Sequence, residues 1–310
     1  MTIRTTFAAL AVAAFALPAA AQERITYKSA KAGSSYYQMA VQLAEALKGT
    51  ADVTVEESQG SVQNVMEVRA RGADYVFTTP PGLIGAAQNA AGPFEERGDP
   101  AFDGIRALFP IPSLTMHFVV SEDSGIESFE DMAGKTVLLG SGSFGAREGE
   151  KYLDLFGVAD EVEIADAELS NAVNALKNGQ IDAFVTAGSY PAPNVIEAAA
   201  STGVRVLSMT DAQVEETGRT RLVIPAGTYA GQEADVVTTS LPVVAYATDK
   251  MSDDTAYALT KAYWENKETL GGSAAWWNGV TPEMIGTVTT QVHPGAARYY
   301  EEVGVSLPNG

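Results

Sequence analysis

Four loops of the sequence combine glycine with hydroxyl or amide side chains, at residues 32–37, 58–64, 140–146 and 186–191. Each follows an apolar or β-branched run and precedes a helical pattern, so each is expected between the end of a strand and the start of a helix. Ligands of open α/β sheets bind at that edge, where helix N-termini offer unpaired N–H groups and glycine lets the backbone approach closely. One such loop is more often only a helix cap. Four of them together predict a shared polar site that suits a small anion.

The third loop also contains a dinucleotide-binding pattern. Gly140, Gly142 and Gly145 have the required spacing after a strand pattern, and acidic candidates follow at Asp160 and Asp166. The loop lies in mid-chain, however, and neither acid lies clearly at the end of a second strand. An exported enzyme with a phosphate-containing cofactor therefore stays a distant alternative, because the same helix start suits a carboxylate equally well.

The sequence contains few other combinations of residues that could catalyse a reaction or bind a metal. The sequence has no Cys, which excludes thiolate zinc sites and a cysteine nucleophile. His117 lies in an apolar run and His293 precedes a proline, so a core position and a helix start are predicted for them. No Gly-x-Ser-x-Gly elbow is followed by a persuasive Asp and His. The sequence therefore favours a binding protein without cofactor or metal over an enzyme.

Composition excludes another class of protein. The 310 residues include 20 Lys and Arg against 39 Asp and Glu, a formal charge of -19, and contain no basic run. A nucleic-acid-binding protein needs clustered basic residues to displace phosphate counterions, so no nucleic-acid partner is expected. The hydrophobic fraction of 46% is enough to build a core in two domains or one large one.

The first 21 residues have the order of a secretory signal peptide. Arg4 precedes an apolar stretch at 7–17, and Ala19-x-Ala21 forms a small-residue cleavage site before Gln22. The apolar stretch is too short to span a bilayer, and no Cys follows it for lipid attachment. Cleavage between Ala21 and Gln22 is therefore expected to release a protein into the periplasm.

The elements that must position the loops follow an alternating pattern. Apolar runs alternate with helical stretches, which predicts an α/β fold with a largely parallel sheet. Strands are expected at 25–28, 53–57, 75–78, 105–109, 117–120, 136–139, 183–186, 204–209 and 238–248. Helices are expected at 146–156, between 170 and 179, and at 252–270, 281–290 and 294–303. Because no linker separates two domains, the chain is expected to cross between them along strands, as a hinge that closes on a ligand.

Nearly all of the chain after residue 21 resembles substrate-binding proteins of the TAXI type. These are the extracytoplasmic receptors of tripartite ATP-independent periplasmic (TRAP) transporters. No single motif is specific, and the resemblance rests on an ordered set at this spacing. The matching segments are 33–37, 60–64, 72–74, 124–126, 131–135, 140–145, 176–183, 187–191 and 225–229.

The resemblance implies an α/β fold like that of type II periplasmic binding proteins, with two lobes joined by hinge strands. Lobe 1 is expected to comprise residues 22–122 and 241–310, and lobe 2 residues 123–240. A small organic acid, such as glutamate, 2-oxoglutarate or another carboxylate, is then held between the lobes. The implied protein is a monomer that delivers its solute to integral-membrane TRAP subunits. A binding protein of an ABC importer or of a sensor is the alternative.

The resemblance also assigns ligand contacts to the four loops. They are Ser35 and Tyr36 in the first loop, Ser61 and Asn64 in the second, Ser141, Ser143, Phe144 and Gly145 in the third, and Ser189 and Tyr190 in the fourth.

Two departures from the family's usual pattern fall where ligand contacts are expected. Residues 78–81 read Thr-Thr-Pro-Pro, so Thr78 and Thr79 offer hydroxyls while the prolines remove two backbone donors. Residues 188–191 read Gly-Ser-Tyr-Pro where the family commonly has Gly-His-Pro. The family's usual ligand is therefore not assumed. Arg147, just after the third loop, is a candidate partner for a second carboxylate or a surface residue near a helix start.

Overall fold

The computed structural model describes residues 22–141 and 143–308, and the predicted signal peptide at 1–21 lies outside these residues. Ten strands of the described chain form one sheet. They are β1 (Glu23–Lys28), β2 (Ala51–Glu56), β3 (Tyr75–Thr79), β4 (Ile105–Ser121), β5 (Thr136–Leu138), β6 (Glu163–Ala165), β7 (Ala183–Gly188), β8 (Val204–Val206), β9 (Thr220–Ile224) and β10 (Val236–Thr248).

The helices start at local signals that the sequence contains. Ser34, Ser143 and Ser252 each cap a helix by accepting a hydrogen bond from a first-turn N–H group, and three other helices begin at a proline. The helices are α1 (Ser35–Ala46), α2 (Ser61–Glu67), α3 (Pro81–Gln88), α4 (Phe144–Leu155), α5 (Ala172–Lys177), α6 (Pro193–Ser201), α7 (Asp211–Thr217), α8 (Asp253–Glu265), α9 (Lys267–Ser273) and α10 (Pro294–Glu302). None of the helices in the described part of the chain is long and apolar enough to cross a membrane.

The strand order β2-β1-β3-β10-β4-β7-β5-β6 divides the sheet into two halves. In the first half β1 is parallel to both β2 and β3, and in the second half β5 is parallel to both β6 and β7. Because parallel strands end at the same edge, the loops after β1, β2 and β3 lie together, as do those after β5, β6 and β7. The α/β fold predicted from the sequence is confirmed, but the largely parallel sheet is not, because β4 and β10 pair antiparallel with each other and with all their other neighbours.

Two long antiparallel strands connect the halves. The beginning of β4 pairs with the end of β10 beside β3, and the end of β4 pairs with β7. The pairing of β4 with β10 is irregular between Leu241 and Val243, opposite Leu114 and Ile111. A second irregularity lies between Ala245 and Tyr246, so the chain crosses between the halves along two strands whose pairing is interrupted twice. The division into lobes 22–122 with 241–310 and 123–240 stays a prediction.

Several predicted elements differ from the structure. The separate strands expected at 105–109 and 117–120 are one strand, β4, which continues through Pro110 and Pro112. Pro110 lies opposite Val244 of β10, and among residues 22–141 and 143–308 no other strand pairs with β4 at that point, so the missing donor faces an unpaired edge. The strands β6 and β9 were not predicted, because one is only three residues long and both carry charged side chains.

The C-terminal helices pack against the first half of the sheet. The helix expected at 252–270 is divided at Asn266 into α8 and α9, and the one at 281–290 is a 3₁₀ helix, Pro282–Thr287. Trp277 is fully buried, and its indole N–H donates to Gln42 of α1 at 2.7 Å. The Tyr300 hydroxyl donates to the main chain of β4 at 3.2 Å. These aromatic side chains thus fix α1 and β4, which both reach the centre of the molecule.

Candidate binding cleft

A cavity of about 210 Å³ lies between the two halves of the sheet, and we call it the central cavity. The first half contributes residues from the loops after β1, β2 and β3, and the second half contributes residues from the loops after β5 and β6 and from the end of β7. Leu114 and Val243 from the crossing strands form its floor. At about 30 Å³ per water molecule, the volume corresponds to about seven waters, the size of a small solute.

The two halves touch each other around this cavity. The main-chain N–H of Ser189, after β7, donates to Ser35 Oγ at the start of α1 at 3.0 Å. A Cβ atom at Gly60 would lie 3.9 Å from the main-chain nitrogen of Phe144, so the loops after β2 and β5 are also in close approach. The cavity is therefore bordered by both halves of the sheet.

Two helices of the same length direct their N-termini to the cavity, one from each half. In α1, Ser34 Oγ accepts from the N–H of Tyr37 at 3.2 Å, and in α4, Ser143 Oγ accepts from the N–H of Ala146 at 2.9 Å. The earlier N–H groups of each first turn have no partner within the helix. Both helix ends carry partial positive charge, so this geometry stabilises an anion between them.

Glycine is needed in the third loop because neighbouring backbone lies very close. Gly140 has a φ of +78°, and a Cβ there would lie 2.8 Å from Cβ of Leu169. A Cβ at Gly145 would lie 2.8 Å from Cβ of Ala187 at the end of β7. The loop after β5 therefore packs closely against the segment after β6 and against the end of β7, which fixes the start of α4.

Seven of the twelve residues predicted to contact a ligand line the central cavity. Three of their hydroxyls already donate to protein groups: Tyr36 to the carbonyl of Pro112 at 3.0 Å, Thr78 to the hydroxyl of Tyr27 at 2.9 Å, and Ser141 to Asp166 Oδ1 at 3.4 Å. Burial raises the pKa of Tyr36 far above its usual value, so it stays neutral. The seven are Tyr36, Ser61, Thr78, Ser141, Ser143, Phe144 and Gly145.

Three predicted residues lie beneath the cavity wall instead. Ser35, Asn64 and Thr79 are buried and are not among the lining residues. Asn64 Nδ2 donates to the carbonyl oxygens of Ser29 at 2.7 Å and Thr78 at 2.9 Å. Asn64 thus ties together the ends of β1 and β3, both of which reach the cavity.

The last two predicted residues, Ser189 and Tyr190, line a second cavity of about 400 Å³. Its wall also includes Pro112 and Ser113 of β4 and the side chain of Trp276. Ser189 Oγ donates to the carbonyl of Ser113 at 2.7 Å. The loop after β7 therefore contacts the crossing strands, and its side chains do not line the central cavity.

Arg147 also lies outside the central cavity. Its side chain is exposed and lines a neighbouring surface depression with Glu150 and Ile164, on α4 and β6. Gly140 and Ser141 border both spaces. Arg147 therefore shares a depression with Ser141, while the glycine loop lies between it and the central cavity.

Several polar residues that were not predicted as ligand contacts also line the central cavity, among them Lys31, Glu168, Asn194 and Glu197. Lys31 Nζ lies 3.7 Å from Glu168 Oε2. Lys31 precedes the first glycine loop, so a search for charges that flank those loops would have found it. The other three follow strands or start helices without any local signal, because only the fold brings them to the cleft.

A buried histidine supports one wall. His117 Nε2 accepts from the Tyr229 hydroxyl at 2.8 Å, and that hydroxyl accepts from the N–H of Ala192, just before α6, at 2.9 Å. His117 Nδ1 lies 3.1 Å from the Thr115 carbonyl, which assigns the proton to Nδ1 in the neutral ring. Burial lowers the pKa of His117 to about 4. Neutral His117 therefore anchors the start of α6, which carries Asn194 and Glu197.

Residues 22–141 and 143–308 contain no group of three His, Asp or Glu side chains placed to hold a metal ion. The groups available in the cleft are helix N-termini, hydroxyls, an amide and a few charges. Such groups can bind and orient a solute.

The architecture is that of periplasmic solute-binding proteins. BugD, a periplasmic binding protein, superimposes with a TM-score of 0.59 at 15% identity, over 92% of this chain and 99% of that chain. MatC from Rhodopseudomonas palustris with bound malate gives a TM-score of 0.57 at 14% identity, over 91% and 97% of the two chains. At these identities the likeness establishes the fold. Residues 28–304 match the NMT1-like family, and the chain belongs to that family.

Proposed function

We propose that this protein is a periplasmic solute receptor of the TAXI type, which binds a small organic acid and delivers it to a TRAP transporter. The observation that carries this proposal is the central cavity between the two sheet halves, with the N-termini of α1 and α4 directed into it. The family membership and the shared fold support a solute-binding protein. The ordered motifs of the sequence support the TAXI type.

Helix N-termini explain how an acidic protein binds an anion. The net charge of -19 is spread over the chain, whereas the N–H groups of two helix starts act within a few ångströms. Hydroxyls of Ser61 and Ser143, which line the cavity, add neutral donors. A carboxylate that lies between α1 and α4 is therefore stabilised from both halves at once.

Binding between the halves also supplies a mechanism for delivery. A solute that contacts both halves stabilises the closed form more than the open form, and so it shifts the equilibrium toward closure. The crossing strands β4 and β10 are the natural hinge, because they are the sheet connection between the halves and their pairing is irregular there. A membrane transporter that recognises the closed form then receives only loaded receptor.

A ligand screen tests the carboxylate assignment. The mature protein is unfolded and refolded to strip bound solute, and its Tm is measured with L-malate, L-glutamate and 2-oxoglutarate. An acid present at about 100 times its Kd stabilises the fold by about 2.7 kcal/mol, which raises the Tm by about 5 °C. Malamide, the neutral diamide of malate, is the control. If no small acid raises the Tm above the value with malamide, the carboxylate assignment is wrong.

A transport experiment separates the TRAP assignment from the ABC alternative. The receptor is added to vesicles that contain the membrane subunits encoded beside its gene, with labelled acid outside. A TRAP system accumulates the acid when an ion gradient is imposed, without ATP. If uptake requires ATP inside the vesicles and does not depend on the ion gradient, the receptor belongs to an ABC importer.

A further inference from the structure

The charge distribution of the central cavity is uneven. Among the lining residues that the structure describes, Lys31 is the single basic one, while Glu168 and Glu197 are acidic. The remaining polar groups are neutral. Lys31 therefore distinguishes an anionic solute from a neutral one more strongly than any other side chain of this wall.

Lys31 and Glu168 form an ion pair across the cleft. Lys31 lies after β1 in the first half of the sheet, and Glu168 lies after β6, the last strand of the second half. Their charged atoms are 3.7 Å apart. The pair therefore forms only when the two halves are close together.

Both partners project from well-fixed backbone. The carbonyl of Lys31 accepts from the N–H of Ser34 at 3.1 Å and from Ser34 Oγ at 2.7 Å, in the same turn that starts α1. Glu168 directly precedes Leu169, whose Cβ is held against Gly140 in the third loop. The ammonium group is thus delivered to the same end of the cavity as the N-terminus of α1, while its long side chain can still move.

The exposure of the pair distinguishes a role in holding the two halves closed from a role in binding the solute. The Lys31 side chain is 41% exposed and that of Glu168 is 49% exposed, so water screens their attraction, and such a pair contributes little to closure by itself. A weak pair is easily exchanged. A charge-assisted hydrogen bond from Lys31 to a solute carboxylate is stronger than this pair when the N-terminus of α1 also holds the carboxylate.

We propose that Lys31 is a specificity-determining residue that binds an anionic group of the solute, and that Glu168 is a built-in counter-ion which the solute displaces. This inference rests on the proposed function and deepens it. It gives the cleft a positively charged side chain, that of Lys31, in addition to the helix N-termini. Glu168 competes with the solute, because its carboxylate pairs with the ammonium group of Lys31 when no solute is bound.

Three variants test the exchange by calorimetry with L-malate, L-glutamate and 2-oxoglutarate. For each acid that wild-type protein binds, Lys31→Gln is expected to lower the affinity about 10- to 100-fold. This corresponds to the free energy of a charge-assisted hydrogen bond. Glu168→Gln is expected to strengthen binding about two- to five-fold, because a competitor of an exposed pair is removed. Lys48→Gln, which removes an exposed cation paired with Glu45, controls for net charge and is expected to change affinity less than about two-fold.

The signs of the effects identify the role. If Glu168→Gln weakens binding as Lys31→Gln does, the ion pair stabilises the closed form, and the proposed displacement of Glu168 by the solute is wrong. If Lys31→Gln binds as tightly as wild type, Lys31 does not contact the solute and the inference is overturned while the proposed function stands. If wild-type protein binds none of the three acids, the carboxylate assignment falls, and this inference falls with it.

Discussion

Acid is expected to destabilise this protein through one buried imidazole. His117 is fully buried on β4, where its two ring nitrogens are satisfied by the Thr115 carbonyl and the Tyr229 hydroxyl. A second proton on Nε2 would face a hydroxyl that already donates its own proton to that nitrogen. Protonation therefore requires both desolvation of a charge and rearrangement of the contact that supports α6.

The sign and size follow from the two pKa values of His117. Burial lowers the pKa to about 4 in the folded protein, against a usual value of 6.5. The unfolded chain therefore binds the proton more readily, so stability is complete above about pH 6.5 and is lost as the pH falls toward about 4. At about 1.4 kcal/mol per pH unit the total is roughly 3 kcal/mol, of which about 2 kcal/mol disappears between about pH 7 and about pH 5.

Urea unfolding of wild type and His117→Gln at several pH values between about 7 and 5 measures this contribution. Glutamine keeps a donor and an acceptor but does not titrate, so the variant is expected to lose about 2 kcal/mol less than wild type over this range. Burial also lowers the pKa of His293, which acts in the same direction. That contribution, like those of the carboxylates, is common to both proteins and cancels in the difference. Parallel curves for the two proteins would refute the assignment of a neutral, acid-sensitive His117.

Two pairs of variants separate positioning residues from binding residues. Asn64→Ala removes the donor to two buried carbonyls and is expected to cost about 1–3 kcal/mol in urea unfolding, whereas Ser61→Ala at the cavity surface should reduce affinity with stability unchanged. Equal affinity for Ser61→Ala and wild type would remove Ser61 from the site. Gly145→Ala places a Cβ 2.8 Å from Cβ of Ala187, so its Tm should fall by more than that of Gly149→Ala, where the nearest atoms are flexible side-chain ends at 3.1 Å or more. Similar Tm values for the two glycine variants would mean that the start of α4 can shift freely.

Much of the local structure was predictable because its causes are local. The serine caps of α1 and α4, the prolines at the first positions of α3, α6 and α10, and the β-branched runs of the longer strands all act within a few residues. The predicted ends of strands and helices were wrong where tertiary contacts override such local signals. Pro110 and Pro112 predict a break, but an unpaired edge lets β4 run through both.

The candidate site was predictable in outline and less so in its members. Glycine loops at strand ends indicate where a ligand binds, because only glycine permits such close backbone approach. They do not show which side chains face the solute. Asn64 and Ser35 have the right chemistry and position in the sequence, yet the fold uses them to connect strand and helix ends.

The sequence by itself determined the class of fold, the places where helices start and the polar loops that follow the strands, since these depend on residue types over short spacings. Only the tertiary structure decided that β4 and β10 cross between the sheet halves, that the N-termini of α1 and α4 enter one cavity, and that Lys31 meets Glu168 there. The physical reason is that these contacts join residues far apart in the chain. Their free energy depends on how whole sheets and helices pack, and no short stretch of sequence contains it.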